Sequence, residues 1–205
     1  MKKLLLASQN PGKLTEMRQL ARGLSLHVLG PRDLGVADAP EETGTTFLEN
    51  ATLKAHYYAQ RSGCLTVADD SGLAVDALDG QPGLYSARFG GPGLDDAARC
   101  RLLLERLADV PAPERGARFI SAVVLVADGE VLFQTQQAVE GRVAEAPRGD
   151  NGFGYDPVFF FPPYGRAFGE LSPEEKARVS HRGKAFVRLR RFLERLEEDP
   201  VQRGL

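Results

Sequence analysis

The sequence is poor in cysteine and nearly balanced in charge. It contains two cysteines, Cys64 and Cys100, which do not form a Cys-x-x-Cys pair. Two cysteines are too few for a secreted disulfide scaffold, and we expect both to be reduced core residues. The 26 basic and 28 acidic residues give a formal charge of -2, so no global positive charge predicts binding to nucleic acid or to an anionic membrane. Any bound anion must be held by local groups.

The sequence also lacks long apolar runs, internal repeats and low-complexity segments. Its start, Met-Lys-Lys followed by Leu-Leu-Leu-Ala, is similar to a signal peptide, but the apolar run is much shorter than an h-region. No stretch approaches the roughly 18 apolar residues of a membrane span. We therefore interpret the first residues as a strand and expect a soluble, cytoplasmic protein without a membrane partner.

The apolar content of the sequence is sufficient for one compact domain. With 205 residues, 42% of them hydrophobic, the chain can bury a full core, and we predict a single domain over 1–205. Strand and helix patterns alternate through the first half, and strand patterns dominate the second half, where residues 128–130 give a hairpin signal. The predicted fold class is α/β, with a mixed central β-sheet flanked by helices.

Capping and turn residues predict the bounds of the individual elements. The Arg-containing tail EEDPVQRGL at 197–205 is expected to fray. The predicted elements are strands at 2–7, 26–29, 64–68, 119–127 and 131–139, an additional strand in EGRVAEA at 140–146, helices at 12–22 and 47–61, a helix capped by Asp95 or Asp96 that ends near Leu107, and two C-terminal helices that begin after Ser172 and Ser180.

The segment SQNPGK at 8–13 joins the first strand to the first helix. A helix N-terminus presents unpaired N–H groups and about half a positive charge, so a glycine with Lys13 beside it is typical of an anion site. A phosphate would fit there, although the segment is not a P-loop. A capped helix start with a solvated lysine is the alternative interpretation.

Acidic residues indicate a second candidate site. Asp69 and Asp70 follow the predicted strand 64–68, and ligands often bind at the carboxyl ends of strands in α/β sheets. The loop pair Glu41-Glu42 could add a glutamate, and Mg²⁺ needs only one or two carboxylates besides water and phosphate oxygens. Lys54 could then help to neutralise a polyphosphate. The alternatives are a helix or turn cap for the aspartates and solvated surface for the two glutamates and Lys54.

A third candidate site combines aromatic and basic residues. Glycines flank Phe153 and Tyr155, so their rings could lie against a flat ligand such as a base, while Asp156 supplies an acceptor. His181 and Arg182 lie in a predicted helix break. The alternatives are aromatic rings that fill the core and a histidine that caps a helix or lies in the core. The three histidines of the chain share no spacing typical of metal ligands.

Over nearly its full length, the chain resembles the inosine triphosphate pyrophosphatase family. The matching motifs occur in the family's order and with compatible spacing. They are SQNPGK with Glu16 at 8–16, EETGTTFLENATLKA at 41–55, ADDSGLAVDALDGQPGLYSAR at 68–88, GFGYDPVF at 152–159 and LSPEEKARVSHRGKA at 171–185.

The resemblance implies hydrolysis of non-standard purine nucleoside triphosphates, namely ITP, XTP and their deoxy forms, to the monophosphate and pyrophosphate. It also implies a requirement for Mg²⁺, a homodimer, and an elongated fold of two lobes with the active site in the cleft between them. Such enzymes clear deaminated purines from the nucleotide pool. Neither nucleic acid nor a membrane is expected as a partner.

The same resemblance implies roles for single residues. Glu42, Asp69 and Asp70 would hold Mg²⁺, and one of the two aspartates would activate the attacking water. The sequence does not separate them, although we favour Asp70. The expected substrate-binding residues are Ser8, Gln9, Asn10, Pro11, Gly12, Lys13 and Lys54 for the triphosphate, Ser71 for the phosphate or sugar, Phe153, Gly154, Tyr155 and Asp156 for the base, and Lys176, His181 and Arg182 for the purine edge.

Three other functions stay open at this point. A Maf-like pyrophosphatase would act on modified or pyrimidine nucleotides, although the motifs fit it less well. A non-catalytic nucleotide-binding module could keep SQNPGK but would not need Glu42, Asp69 and Asp70. A single-stranded nucleic-acid binder that uses the aromatic residues is disfavoured by the charge of -2.

Overall fold

The chain forms a mixed β-sheet flanked by α-helices, which confirms the predicted fold class. The computed structural model describes residues 2–36 and 38–198. The strands are β1 (Lys2–Leu6), β2 (Leu26–Leu29), β3 (Leu65–Val75), β4 (Gly116–Ala127), β5 (Glu130–Val143), β6 (Phe159–Phe161) and β7 (Arg166–Ala167). The α-helices are α1 (Pro11–Leu20), α2 (Phe47–Ser62), α3 (Asp96–Arg106), α4 (Pro173–Val179) and α5 (His181–Glu198).

The seven strands of the described residues lie in the order β2-β1-β3-β4-β5-β6-β7. Strand β1 is parallel to β2 and β3, whereas β6 is antiparallel to β5 and β7. The predicted hairpin is confirmed: Asp128 and Gly129, with φ of 48° and 83°, join the neighbouring strands β4 and β5. Positive φ at both central residues is the geometry that a tight two-residue turn requires.

The chain divides into two compact units. Among the described residues, the first unit comprises 2–36, 38–70, 121–137 and 184–198, and the second comprises 71–120 and 138–183. Strands β3, β4 and β5 each contribute residues to both units.

The core of the first unit has two apolar clusters. Because successive residues of a strand point to opposite faces, Leu4 and Leu6 of β1 pack with residues of α1 and α5. Leu5, which lies between them in the sequence, packs with residues of α2 instead. The apolar run at the start of the chain is therefore a strand that is buried on both faces, as predicted.

The core of the second unit is rich in phenylalanine. The Phe119 and Phe159 ring centroids lie 4.6 Å apart, and those of Phe159 and Phe168 lie 4.8 Å apart. Leucines of α3, among them Leu103, complete the same cluster. The aromatic run before β7 thus serves mainly as core.

Several element predictions are wrong in detail. Strand β3 does not end at residue 68 but continues to Val75, so Asp69 lies inside a strand. The segment 140–146 is not an additional strand, because β5 continues to Val143. Cys100 is buried, but Cys64 is only partly buried.

Other predictions are confirmed or fall outside the described residues. Asp95, and not Asp96, caps α3 through a 2.7 Å hydrogen bond from the Ala98 N–H. Thr46 and Glu49 form the predicted capping box of α2. The tail prediction concerns mainly residues 199–205, which lie outside the described residues. No helix of the described residues is long and apolar enough to cross a membrane.

Candidate active site

The loop before α1 is ordered by its own side chains. The Asn10 Oδ1 accepts hydrogen bonds from the backbone N–H groups of Gly12 at 2.8 Å and Lys13 at 3.3 Å. Asn10 is therefore the N-cap of α1, and the predicted capped helix start is correct. Ser8 adds a hydrogen bond, because its Oγ accepts the Asn10 N–H at 3.2 Å.

Lys13 is not a solvated lysine. Its Nζ lies 2.9 Å from the Asp69 Oδ2 and donates to the Asp69 carbonyl oxygen at 3.1 Å. The α1 start is thereby joined to β3, and the lysine is held beside a carboxylate that is fully buried. A phosphate that entered here would meet the Lys13 ammonium and the first turn of α1 together.

Lys54 is not a surface lysine either. Its Nζ lies 2.5 Å from the Asp70 Oδ1 and 3.1 Å from the Glu42 Oε1, and 13% of its side chain is exposed. The two acids come from different segments and converge on one ammonium group. We call Lys13, Glu42, Lys54, Asp69 and Asp70 the carboxylate–lysine cluster.

Burial and charge act against each other on the pKa values in this cluster. Burial favours the neutral form of Lys54, but the charges of Asp70 and Glu42 outweigh it and raise the Lys54 pKa above its ordinary value. Lys54 is therefore a cation at neutral pH. Burial raises the pKa of Asp70, although the nearby Lys54 and Lys13 lower it in part.

The loop that carries Glu42 is fixed to the start of α2. The Gly44 N–H donates to the Asn50 Oδ1 at 2.8 Å, and Asn50 is almost completely buried. A Cβ on Gly44 would lie 2.6 Å from that same oxygen, so only glycine allows this approach. Because Asn50 and Lys54 are one turn apart on α2, this contact keeps Glu42 near Lys54.

Sequence reasoning missed Ser121, which fixes Asp69 from β4. The Ser121 Oγ donates to the Asp69 Oδ1 at 2.6 Å, and both side chains are buried. The two Asp69 carboxylate oxygens are thus held by different groups, Ser121 and Lys13. The only available signal was one hydroxyl in the apolar run FISAVVLVA.

The cluster has donors that suit Mg²⁺ rather than a metal held entirely by protein. Among residues 2–36 and 38–198, no group of three or more His, Cys, Asp or Glu side chains has the arrangement of a metal site. Mg²⁺, however, takes only one or two carboxylates and keeps water or phosphate oxygens as its other ligands. The Glu42 and Asp70 carboxylates already converge on one cation, the Lys54 ammonium. The residues therefore fit a divalent cation that arrives with further oxygen ligands.

The second unit brings Phe153, Asp156, Lys176, Arg182 and Ser71 together. The Asp156 Oδ2 accepts the Phe153 N–H at 2.8 Å and lies 2.6 Å from the Lys176 Nζ. The Lys176 Nζ and the Arg182 Cζ lie 4.6 Å and 5.1 Å from the Phe153 ring centroid. The Arg182 guanidinium donates to the Ser71 Oγ at 2.8 Å. We call these residues the Phe153 cluster.

Tyr155 and His181 are integrated into the core beside this cluster. The buried Tyr155 hydroxyl donates to the Ser86 carbonyl oxygen at 2.9 Å, and burial raises the Tyr155 pKa, so it remains a donor. The His181 ring stacks on Phe119 with centroids 4.7 Å apart. For these two residues the core alternative describes the packing, whereas Phe153 is only partly buried.

The predicted site residues thus form two groups, one in each unit. The first unit holds Ser8, Gln9, Asn10, Pro11, Gly12, Lys13, Glu42, Lys54, Asp69 and Asp70, and the second holds Ser71, Phe153, Gly154, Tyr155, Asp156, Lys176, His181 and Arg182.

Comparison with known proteins identifies the family. The chain is 47% identical to a dITP/XTP pyrophosphatase of Xylella fastidiosa over 192 residues, which cover 93% of this chain and 96% of that protein. It is 46% identical to a dITP/XTP pyrophosphatase of Thermus thermophilus, with 98% and 95% covered. A solved structure of a HAM1 protein from Coxiella burnetii is similar with a TM-score of 0.86 at 39% identity, covering 95% of this chain and 100% of that chain. The Ham1 family matches residues 4–192, which confirms the resemblance seen in the motifs, and the chain belongs to this family.

Proposed function

We infer that the protein hydrolyses non-standard purine nucleoside triphosphates, such as dITP and XTP, to the nucleoside monophosphate and pyrophosphate. The observation that carries this inference is the carboxylate–lysine cluster, in which Lys54 pairs with Glu42 and Asp70 while Lys13 pairs with the neighbouring Asp69. A binding module would need the lysines but not three buried or partly buried acids. The same cluster lies in a chain that is nearly half identical to dITP/XTP pyrophosphatases.

The first unit would hold the triphosphate and activate water. Lys13 and Lys54 would neutralise the phosphate charge, and the positive end of the α1 dipole would add to this, since the Gly12 and Lys13 N–H groups are already held by Asn10. We assign the general base to Asp70, because 10% of its side chain is exposed whereas the Asp69 side chain is fully buried. The water oxygen would form a bond to the α-phosphorus as the Asp70 carboxylate accepts its proton, and pyrophosphate would leave with the electron pair of the broken bond between the α-phosphorus and the bridging oxygen. Asp69 would keep Lys13 in position.

Glu42 and Asp70 would hold Mg²⁺, whereas the Asp69 carboxylate oxygens are engaged by Ser121 and Lys13 and would act on the metal site only through Lys13. When bound, this ion supplies charge neutralisation and polarises phosphate oxygens. Lys54 would have to give up its contacts with these carboxylates and would be available to a phosphate oxygen. The carboxylates of Glu42 and Asp70 would thus bind the metal ion, and the Lys54 ammonium would bind the phosphate.

The second unit would bind the base. Phe153 would stack on the purine, and Arg182 and Lys176 are donors near its ring. Hypoxanthine and xanthine carry a 6-oxo acceptor, whereas adenine carries an amino donor at that position. A donor left unpaired against adenine costs about 1 to 3 kcal/mol per buried group, which favours the deaminated bases.

We further propose that the chain is a single domain in which both groups of residues bind one nucleotide. We also propose that it forms a homodimer and that it acts on the cytoplasmic nucleotide pool. The dimer is checked by sedimentation velocity, where twice the monomer mass is expected. A monomer at micromolar concentration would contradict this part alone.

A panel of triphosphates tests the proposed activity. With Mg²⁺, we expect ITP, dITP and XTP to yield pyrophosphate, and ATP, dTTP and UTP to react much more slowly. Excess EDTA should stop the reaction. Release of orthophosphate in place of pyrophosphate would exclude the proposal, a preference for dTTP or UTP would indicate a Maf-like enzyme, and binding without turnover would indicate a nucleotide-binding module.

A further inference from the structure

Helix α3 holds the Phe153 loop through both backbone polar groups of Gly154. The Gly154 N–H donates to the Asp96 Oδ2 at 2.7 Å, and the Cys100 Sγ donates to the Gly154 carbonyl oxygen at 3.4 Å. Asp96 and Cys100 are four residues apart and therefore lie on the same face of α3. Neither residue belongs to the motifs that indicated the site.

The loop requires such support because of its backbone conformation. Gly152 and Gly154 have φ of 81° and 62°, in the left-handed region. A Cβ on Gly152 would overlap the Asp156 carboxylate, so this carboxylate packs directly against the backbone of Gly152. A glycine-rich turn loses much conformational freedom when it is fixed, and each hydrogen bond from α3 opposes that loss.

The orientation of the Phe153 ring follows from the path of this loop. Asp156 holds the Phe153 N–H, and α3 holds the next peptide group through Asp96. Without Asp96, the backbone that carries Phe153 would lose one hydrogen bond, and the Phe153 ring could take more orientations. A stacked base requires one orientation of the ring, so the additional freedom would reduce the affinity for the base.

We propose that Asp96 is a positioning residue that sets the affinity for the purine base without contacting the nucleotide, and that Cys100 assists it. The proposal rests on the inferred function, since it assigns base stacking to Phe153. It does not extend to the carboxylate–lysine cluster, which belongs to the other unit.

Asp95 provides a matched control for Asp96. The two residues are neighbours and are both exposed at the start of α3. Asp95 caps the helix through Ala98 and has no hydrogen bond to the Phe153 loop among the contacts described. Asp95→Ala should lower helix stability, whereas Asp96→Ala should release Gly154.

The experiment compares Asp96→Ala, Asp96→Asn and Asp95→Ala in two assays. In steady-state hydrolysis, Asp96→Ala should raise the KM for ITP about three- to tenfold with kcat within about twofold, the range expected for one hydrogen bond. The inhibition constant of inorganic tripolyphosphate, which has no base, should not change. Asp96→Asn keeps an acceptor oxygen and should restore most of the affinity. Asp95→Ala should lower the Tm but leave the KM unchanged.

Calorimetric titration with IMP gives a second readout that does not need turnover. We expect the Kd of IMP to rise with Asp96→Ala by the same factor as the KM. A change in kcat alone, equal KM changes for Asp95→Ala and Asp96→Ala, or weaker inhibition by tripolyphosphate would overturn the proposal. Wild-type protein that binds IMP without hydrolysing ITP would contradict the proposed function. In that case, the change in the Kd of IMP caused by Asp96→Ala would still test the role of Asp96. Wild-type protein that neither hydrolyses ITP nor binds IMP would overturn both.

Discussion

Lys54 illustrates how single residues of the site depend on one another. Glu42 and Asp70 would repel each other if no cation lay between them, and the Lys54 ammonium prevents this. The same two charges keep the Lys54 pKa above its ordinary value despite burial. Replacing Glu42, Lys54 or Asp70 therefore changes the electrostatic environment of the other two. The effects of single substitutions in this cluster should not be additive.

Asp70→Asn should abolish most of the activity. The amide has nearly the same shape but cannot accept the proton of the attacking water, so kcat should fall by about 10²- to 10⁴-fold. Pyrophosphate release from ITP measures this change. Asp69→Asn differs in kind: Asp69 is buried and paired with Lys13, so its replacement should lower the free energy of unfolding by about 3 to 5 kcal/mol in addition to any loss of activity through Lys13. Turnover near the wild-type rate in Asp70→Asn would remove Asp70 from the role of base.

The two thiols should differ in reactivity. Burial raises the Cys100 pKa to about 12, so at pH 8 this side chain is a neutral thiol with little access to solvent. Cys64 is partly exposed. Iodoacetamide at pH 8 should modify Cys64 first, and mass spectrometry of the digested protein locates the label. Preferential labelling of Cys100 in the folded protein would contradict the buried environment described for it.

The candidate site residues could be named from the sequence, but the side chains that contact them could not. Lys13 and Asp69 are 56 positions apart, so no local pattern pairs them. Ser121 looks like an ordinary strand residue, and Asp96 looks like an alternative cap for α3. Their roles depend on tertiary contacts to Asp69 and Gly154, which only the folded chain reveals.

At the scale of elements, the junction of α4 and α5 explains why SHRGK carries a glycine. Ser180 is extended, with φ of -69° and ψ of 158°, and it ends α4. Its Oγ accepts the Gly183 N–H at 3.0 Å, which starts α5. A Cβ on Gly183 would overlap the Ala177 carbonyl oxygen. The close approach fixes Arg182 in the first turn of α5.

Gly183→Ala should disturb this junction. Because the added methyl group meets backbone and not a flexible side chain, we expect a loss of about 1 to 3 kcal/mol in the free energy of unfolding. The displaced Arg182 should also weaken nucleotide binding. Urea unfolding and the KM for ITP measure the two effects. Arg178→Ala, an exposed position on α4, is the control and should be nearly neutral. Wild-type values for Gly183→Ala would show that the junction can move freely.

The element predictions were correct where local patterns determine the structure and wrong at the end of β3, where distant residues compensate two adjacent charges. Periodicity and caps placed β1, α1 and α2 within about two residues of their observed bounds. The end of β3 was wrong because two adjacent aspartates suggested a loop. In the structure, Lys13 and Lys54 compensate those charges, so the strand continues to Val75.

At the scale of the whole molecule, the two units share strands. Residues of β3, β4 and β5 contribute to the cores of both, so losing one core would release strands that the other needs. We expect a single cooperative unfolding transition. Far-UV circular dichroism and tyrosine absorbance in urea should give the same midpoint. Two separate midpoints would mean that each unit is stable by itself.

The position of the Phe153 ring beside two cations also has an optical consequence. The chain contains no tryptophan, so Phe153→Trp would introduce its sole indole, within the Phe153 cluster. Indole emission responds to nearby charges and is quenched when a purine stacks on the ring. Fluorescence of this variant should therefore decrease as IMP is added, and a signal that stays constant at saturating nucleotide would place the base elsewhere.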